Sequence, residues 1–344
     1  MLPSSVIPNR SIRSALALSL RTKSLAGVML AAPIMSLVIS GCATSTPNYA
    51  ITLTQAQSIF NTYNHNNAKA NATLDTALQN LEEGGTAATI DDANYQAYRD
   101  LGKSGYGKYA TLIKGPFAYY LPNYGAAGLK QGGSAYFLVT AGNPHKSYSL
   151  MLFRKQAGGN WQLVYEPTMD ANASLNLIPT ANGYVLGNPN VHKPVVSPST
   201  ALQDLVNYLN NYTTPNPPLG LLAPGPQTTT FMASNQKFIA QEKAKGITAT
   251  MTFSQDPATP LILPTRNGVL EFAAYDYSIN FTWPKGEYDV QNTARTNWNP
   301  LLPPGKYYNG VTGTAINEVV LAIPTHGKIQ VLGNYAGVTS ETGS

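Results

Sequence analysis

The chain alternates between two hydrophobic patterns, and the first of them predicts helices. Apolar residues recur three or four positions apart at Ala56, Ile59, Phe60, Tyr63, Ala70, Leu74, Leu78 and Leu81. This is the spacing of one helix face. Thr54 and Gln57 match a capping box at the start, and the glycine pair at 84–85 supplies a stop. We therefore predict a helix, or a kinked pair of helices, over 54–83.

The hydrophobic period then changes to two, which predicts strands. Tyr148, Leu150 and Leu152 alternate with other residues, as one face of a half-buried strand does. The strings GNPHK and AGGN lie between such segments and are typical of hairpin turns. A short helix is predicted before these strands, from Asp91 or Asp92 to Leu101. The predicted strands cover 115–124, 134–140, 147–155 and 160–166.

The second half repeats this order of helices followed by strands. A second capping-box match, at Thr200 and Gln203, begins a predicted helix over 200–211. A Pro-rich break separates it from another predicted helix over 227–245. The strands predicted after these helices cover 247–254, 261–265, 269–282, 312–323 and 328–338.

Together these elements predict an α+β fold with two domains, each with N-terminal helices packed on a curved antiparallel sheet. The predicted domains are 51–167 and 197–344, joined by a connection over 168–196. Residues 283–310 have no hydrophobic period and contain two of the three Trp. A segment of that length inside a domain is usually functional or disordered.

The N-terminus has the pattern of a secretory signal peptide. Its first 23 residues carry four basic side chains and no acidic one, and an apolar run over 25–39 follows. A basic region before a short apolar segment and small residues is typical of an exported precursor. The run is also shorter than the roughly 18 residues that a membrane-spanning helix needs. We therefore predict that residues 1–41 are a signal peptide.

The residues after this run predict a lipid attachment site. Ile39-Ser40-Gly41-Cys42 resembles the bacterial lipobox, in which the cysteine is lipidated and becomes the mature N-terminus. The thiolate is the strong nucleophile that accepts the lipid, and two acyl chains hold a protein on a membrane more firmly than one. Residues 42–50 are polar and predict a short tether. The expected location is the extracytoplasmic face of the cell membrane, with the membrane as a partner through Cys42.

The overall charge is less basic than it looks. The formal charge is +5, from 22 Lys and Arg against 17 Asp and Glu, but four of the basic residues lie in the predicted signal peptide. The remaining 18 against 17 leave about +1, and no Lys/Arg-rich run occurs. The footprint of a nucleic-acid-binding protein is therefore missing. The single cysteine leaves no partner for a disulfide within one chain, so the hydrophobic core must hold the fold.

Two stretches resemble known protein families. LTQAQSIFNTYNHNNAKANATLDTALQNLEEGG with DDANYQAYRDLG, and the later TRNGVLEFAAYDYSI, resemble an uncharacterised family of actinobacterial surface lipoproteins. FRKQAGGNWQLVYEP is similar to the helix-plus-curved-sheet fold of nuclear-transport-factor-2-like domains. This second resemblance implies a cone-shaped cavity in the first half, in a fold that serves enzymes, binding modules and assembly platforms alike. It therefore leaves the function open.

No motif for metal, nucleotide or cofactor chemistry occurs in the chain. The four histidines, His65, His145, His192 and His326, are scattered and lack the spacing of a metal site. The pattern of a serine hydrolase elbow is absent, and so are the Gly-rich loops that hold nucleotides. We expect no cofactor, no metal ligand and no catalytic residue, and Cys42 is the one site residue that the sequence assigns.

The predicted function is therefore binding or scaffolding in the cell envelope, without catalysis. The abundance of Tyr and Asn is compatible with a glycan partner or an envelope protein partner. The alternative is a small-molecule enzyme or carrier that uses the cavity of the first domain. Residue types for such a cavity are present at Tyr63, Asp75, Tyr119, Tyr136 and Tyr148. Asp276 shares a strand face with Ser278 and Asn280, which indicates a solvated side of the sheet.

Overall fold

A computed structural model provides the structure of the protein. It describes residues 51–122, 135–155, 159–180, 183–185, 193–258, 260–283, 288–290, 301–303, 305–307 and 309–344. The predicted signal peptide, Cys42 and the tether lie outside these residues. So do His192 and most of the segment 283–310.

The first helical region is the kinked pair that the periodicity predicts. Its helices are α1 (Leu53–Thr73) and α2 (Thr76–Glu82). They separate at Leu74, which adopts a left-handed conformation with φ 54°, and the Asp75 side chain then accepts the Leu78 N–H at 3.0 Å. That carboxylate caps the start of α2.

The predicted capping box of α1 was wrong by two residues. Thr52 has an extended backbone, accepts the Gln55 N–H at 3.2 Å and donates its own N–H to the Gln55 side chain at 2.9 Å. The sequence TLTQAQ contains two overlapping Thr-x-x-Gln frames, at 52–55 and 54–57. Ile51, which precedes the first frame, is buried, and this anchor selects that frame.

The other predicted helices exist, but their starts differ from the predictions. Helix α3 (Gly85–Asp100) begins six residues before Asp91, because Gly84 takes the extended cap position and Gly85 enters the helix. Helix α4 (Pro198–Asn210) begins at the Ser197 cap rather than at Thr200, with Pro at its first turn. Helix α5 (Phe231–Ala244) follows a π-helical turn over 226–230.

Fourteen strands occur in the described residues. They are β1 (Phe117–Tyr120), β2 (Ala135–Ala141), β3 (Tyr148–Lys155), β4 (Trp161–Tyr165), β5 (Thr168–Met169), β6 (Ile178–Thr180), β7 (Gly183–Val185), β8 (Thr248–Gln255), β9 (Leu261–Thr265), β10 (Gly268–Thr282), β11 (Tyr288–Val290), β12 (Gly305–Tyr307), β13 (Gly310–Pro324) and β14 (Gln330–Gly343). Strand β14 continues five residues beyond the predicted end at 338. Two register shifts in its pairing with β13 interrupt the alternation from which its length was predicted.

Twelve of these strands form one open, mostly antiparallel sheet. Its order is β6-β7-β1-β2-β3-β5-β14-β13-β10-β8, with β4 on β3 and β9 on β10. The two-residue strand β5 lies in the predicted connection and pairs with β3 on one side and β14 on the other. The two halves of the chain therefore share a continuous hydrogen-bonded sheet, and the two-domain division stays a prediction.

The segment 283–310 contributes a separate small element. Strands β11 and β12 pair with each other in a two-stranded sheet, with Tyr288 opposite Tyr307. Tyr307 donates its hydroxyl to the Pro303 carbonyl at 2.6 Å. The predicted aperiodic segment thus contains a β-ribbon in its described part.

Three layers of core hold the sheet and helices together. The first lies between α1 and strands β2 and β3, where Phe60 and Tyr63 pack on Phe153 with ring centroids 6.3 and 5.2 Å apart. The second, which we call the middle core, joins side chains of β2 and β3 to those of β9, β10 and β13. The third, the α4 core, lies between α4, α5 and the opposite face of β8, β10 and β13.

Two glycines of β14 allow the close approaches that complete this arrangement. A side chain at Gly333 would meet the Thr168 carbonyl oxygen at 2.4 Å, so β5 could not pair there with any larger residue in place. A side chain at Gly337 would meet the Ile90 Cγ2 atom at 2.4 Å. Helix α3 therefore lies directly on β14, and α3 spans the junction of the two halves.

Candidate functional site

A groove at the edge of the middle core is the candidate ligand site in the described part of the chain. Its volume is about 560 Å³. The lining comes from residues 116–118 and Tyr120 around β1, from Thr140, Gly142, Pro144 and Tyr148 around the β2–β3 turn, and from residues 173–177 with Arg266. Pockets of a few hundred Å³ with mostly apolar walls and few polar groups are typical ligand sites. We call this the β1 groove.

The floor of the β1 groove is tied to the packed interior. Tyr148, Leu175 and Leu177 are buried and belong to the middle core. The Tyr148 hydroxyl donates to the Ala173 carbonyl at 3.0 Å. Burial, with a smaller contribution from Tyr120, raises the pKa of Tyr148 to about 12. Tyr148 is therefore a neutral donor at physiological pH.

The wall formed by β1 leaves an aromatic ring at the surface. Phe117 keeps 37% of its area exposed, although its ring centroid lies 4.8 Å from that of Phe60. Ala118 is half-buried and stands opposite Thr140 across the β1–β2 pair. Side chains alternate between the two faces of a strand, so an apolar ligand in the groove would meet the face of Ala118 rather than the Phe117 ring.

A single cation, Arg266, occurs among the described residues that line the groove. Arg266 is exposed and lies in the two-residue turn Arg266-Asn267 between β9 and β10. Its backbone N–H donates to the Asn176 carbonyl at 2.8 Å, and the Asn267 carbonyl accepts the Thr325 N–H at 2.8 Å. These contacts fix the turn against the lining segment 173–177. None of the described lining residues is an Asp, Glu, His, Lys or Cys.

A second group of polar residues lies inside the fold, beneath α1 and α3. Tyr63, Asn67 and Asn71 are spaced four residues apart on α1, so they project from one side of the helix. A directional chain of hydrogen bonds runs from Tyr95 to Asn71 at 2.9 Å, to Asn67 at 2.8 Å, to Tyr63 at 3.2 Å and to Glu83 Oε1 at 3.2 Å. Each of these four hydrogen bonds is donated in the direction of Glu83.

Glu83 is buried with no ion pair among the described residues. Gln79 also donates to its Oε2 at 3.0 Å. Burial raises the pKa of Glu83 well above its usual value, and the negative charge of Asp91 raises it further. Donation by Gln79 and Tyr63 opposes this rise without cancelling it.

Glu318 on β13 extends the polar interior to the second half of the chain. Its Oε1 accepts the Thr86 hydroxyl at 2.7 Å, and its Oε2 accepts the Glu166 N–H at 2.8 Å. Nearby, the Tyr335 hydroxyl donates to Asp91 at 2.7 Å. Burial raises the pKa of Glu318 to about 8, although these two hydrogen bonds lower it. Thr86 and Asp91 thereby attach α3 to the sheet.

Glu271 on β10 has a different environment. It is fully buried, and neither of its carboxyl oxygens has a hydrogen-bond partner in the described part of the chain. By strand alternation it shares the face of Val269 and Ala273, which belong to the α4 core. Burial raises the pKa of Glu271 to about 8.

The residues proposed for a cavity enzyme do not converge. Tyr63 lies in the polar interior, and Tyr119 packs on Phe60 on the same side of the sheet, with ring centroids 6.1 Å apart. Tyr136 and Tyr148 lie in the middle core on the opposite face. Asp75 is the exposed cap of α2. The space between α1 and the sheet, where a cavity was expected, contains packed aromatic side chains.

The remaining candidates are dispersed over the surface. His65, His145 and His326 are exposed on three separate elements, and the described residues contain no group of three metal-ligating side chains. Asp276 is half-buried on the face predicted to be solvated, and burial and Asp256 raise its pKa. No helix in the described part of the chain is both long and apolar enough to cross a membrane.

Sequence reasoning missed Arg266, Glu271 and Glu318. A signal was present for the two glutamates, since each interrupts a strongly apolar strand sequence, VLEFAA and INEVVL. Arg266 gave no signal, because its importance depends on the segment 173–177 that packs beside its turn.

Comparison with protein families assigns residues 47–343 to a domain of unknown function, DUF8094. The chain belongs to this family. No curated protein and no solved structure matches it. The DUF8094 match covers the β1 groove, the polar interior and Glu271.

Proposed function

We propose that this DUF8094 protein is a lipid-anchored, extracytoplasmic binding protein whose ligand site is the β1 groove. The groove carries the proposal because it combines a volume of about 560 Å³ with a mixed lining of aromatic and aliphatic side chains and polar groups. A small molecule with an apolar body fits this description better than a flat glycan or a large protein surface.

The membrane anchor is the part of the proposal that comes from the sequence. We propose that residues 1–41 are removed and that the Cys42 thiol carries the lipid. A short tether then leads to the fold that begins at Ile51. In cell fractionation, Cys42→Ser is expected to leave an unprocessed precursor or to release soluble protein. A processed Cys42→Ser protein that stays with the membranes would contradict the anchor.

Binding is favoured over catalysis by the distribution of reactive groups. The described lining of the β1 groove offers tyrosine, threonine, serine, asparagine and arginine but no carboxylate, imidazole or thiol. General acid–base chemistry normally needs such a group within hydrogen-bond reach of the substrate. Glu83, Glu318 and Glu271, whose pKa values are strongly raised, are buried in the core. The raised pKa values are accounted for by burial rather than by a site open to substrate.

The proposal can be tested by filling the groove. The mature lipoprotein in phosphatidylcholine nanodiscs is titrated with the neutral fluorescent probe N-phenyl-1-naphthylamine, and the signal of empty nanodiscs is subtracted. Ala118→Trp places a large ring in the groove, while Thr250→Trp places the same ring on the exposed side of β8. We expect Ala118→Trp to weaken binding by about tenfold, or about 1.4 kcal/mol.

The two tryptophan variants also define the result that would overturn the proposal. Equal probe affinity for Ala118→Trp and Thr250→Trp would show that the β1 groove is not the site. Thermal unfolding of both variants checks that the added ring has not disrupted the sheet.

A further inference from the structure

The position of Arg266 indicates which ligand the β1 groove selects. The turn that carries Arg266 is held by the Asn176 carbonyl on one side and by the Thr325 N–H on the other. Asn176 itself adopts a left-handed conformation with φ 48°, and its N–H donates to the Ser174 hydroxyl at 3.3 Å. The guanidinium therefore projects from a fixed base rather than from a free loop.

The charge of Arg266 is not balanced within the described residues. Its side chain forms no ion pair or hydrogen bond there, and the lining residues that the structure describes include no acidic one. An exposed arginine is well hydrated and stable on its own. When a ligand displaces that water, however, the planar guanidinium offers two parallel N–H donors that match a carboxylate, sulfonate or phosphate.

We propose that the β1 groove binds a soluble amphipathic anion, with its apolar body against the lining of Tyr148 and Leu177 and its anionic group on Arg266. This inference rests on the proposed function of the groove and adds the chemical class of the ligand. Arg266 is a specificity-determining residue in this arrangement, since it distinguishes an anionic ligand from a neutral one with the same apolar body.

Two fluorescent probes with a shared body test the charge preference. 8-Anilino-1-naphthalenesulfonate is N-phenyl-1-naphthylamine with an added sulfonate, so the two differ only in the anionic group. With the mature lipoprotein in phosphatidylcholine nanodiscs, we expect Arg266→Gln to weaken binding of the sulfonate probe by about fivefold to tenfold. Binding of the neutral probe should not change. In the unmodified protein, added salt should weaken the binding of the sulfonate probe but not that of the neutral probe.

Lys237→Gln is the matched control, because it removes the same charge from an exposed position on α5. An equal loss of sulfonate binding in Lys237→Gln and Arg266→Gln would overturn the inference, since the effect would then come from net charge. Unchanged sulfonate binding in Arg266→Gln would also overturn it. If Ala118→Trp still weakens binding of the neutral probe in that case, the groove remains a site and only its preference for anions fails.

A bilayer lipid could present the same chemistry as a soluble anion. A second set of nanodiscs therefore contains anionic phosphatidylglycerol. The affinity for the sulfonate probe can fall in these nanodiscs by the same factor for Arg266→Gln and for the unmodified protein. That result means that the anionic bilayer repels the probe, and it supports a soluble ligand. A larger fall in the affinity of the unmodified protein would mean that phosphatidylglycerol competes with the probe at Arg266. The proposal of a soluble ligand would then be wrong, and the groove would bind a lipid headgroup.

Discussion

The interior beneath α1 and α3 and the core beneath α4 solve the same burial problem in different ways. The first contains a connected set of polar side chains, and its carboxyl group at Glu318 has two hydrogen-bond donors. The second is aliphatic and aromatic, and its carboxyl group at Glu271 has no hydrogen-bond donor among the residues that the structure describes. Both glutamates are fully buried, and both have a pKa of about 8.

This contrast separates the cost of burying a carboxyl group from the benefit of its hydrogen bonds. The pKa reports the cost of the charged form, which is similar in the two places because burial is the largest cause in both. The hydrogen bonds report what would be lost if the side chain were removed. Only Glu318 should therefore be needed for stability.

The largest expected effect is a gain of stability in Glu271→Leu. Leucine has a similar volume and an apolar side chain, and it removes the cost of keeping an unpaired carboxyl group protonated in the core at pH 7. We expect the free energy of unfolding at pH 7 to increase by an amount on the order of 3 kcal/mol. Urea denaturation measures this change. The free energy of unfolding should increase less in Glu271→Gln, because the amide is still unpaired. A decrease in Glu271→Leu would mean that Glu271 has a hydrogen-bond partner.

Glu318→Leu is expected to be less stable than Glu271→Leu. This change leaves the Glu166 N–H without its acceptor in the core and removes an acceptor from Thr86. These losses oppose the gain from removing a carboxyl group of raised pKa, so in urea denaturation the free energy of unfolding of Glu318→Leu should be about 2 kcal/mol below that of Glu271→Leu. Glu318→Gln keeps an oxygen for the Glu166 N–H and should lose much less. Equal losses in the two variants would show that side-chain volume, not hydrogen bonding, determines the effect.

The dependence of stability on pH provides the third test. The folded-state pKa of each glutamate is about 8, above the usual value of 4.5. The folded chain therefore binds more protons than the unfolded chain between these values. The resulting stabilisation is fully present below pH 4.5 and is lost as the pH rises through about 8.

Glu271→Leu should remove one such group. Its free energy of unfolding should fall less steeply with pH than that of the unmodified protein, by up to about 1.4 kcal/mol per pH unit. Urea denaturation at several pH values between about 5 and 8 measures the two slopes. Parallel profiles would contradict the raised pKa of Glu271.

The smallest effect is expected for Tyr63→Phe in the polar interior. The loss of the hydroxyl removes one donor from Glu83 and the acceptor of Asn67. We expect a loss of about 1 kcal/mol in the free energy of unfolding. Tyr119→Phe is the control, since Tyr119 packs on the same Phe60 ring without a side-chain hydrogen bond in the described residues. A similar loss in both variants would show that the chain of hydrogen bonds adds nothing.

The sequence by itself determined the kind and order of most elements. Helical spacing over 54–83 and alternation over 148–152 are local properties, because each depends on which side of one helix or strand is apolar. Helix starts were less predictable, since TLTQAQ offers two equivalent capping frames and only the burial of Ile51 distinguishes them. The lipid site at Cys42 is also a local motif, and it stays a prediction.

Only the tertiary structure decided how the two halves join and where a ligand could bind. The junction depends on the two residues of β5, which pair with β3 on one side and with β14 on the other, although β3 and β14 are more than 150 positions apart in the sequence. It also depends on the absence of a side chain at Gly333. The β1 groove combines β1, the segment 173–177 and Arg266 in the same way. Contacts between residues so far apart in the chain have no periodic or compositional trace, because they depend on how the strands pack rather than on the local sequence.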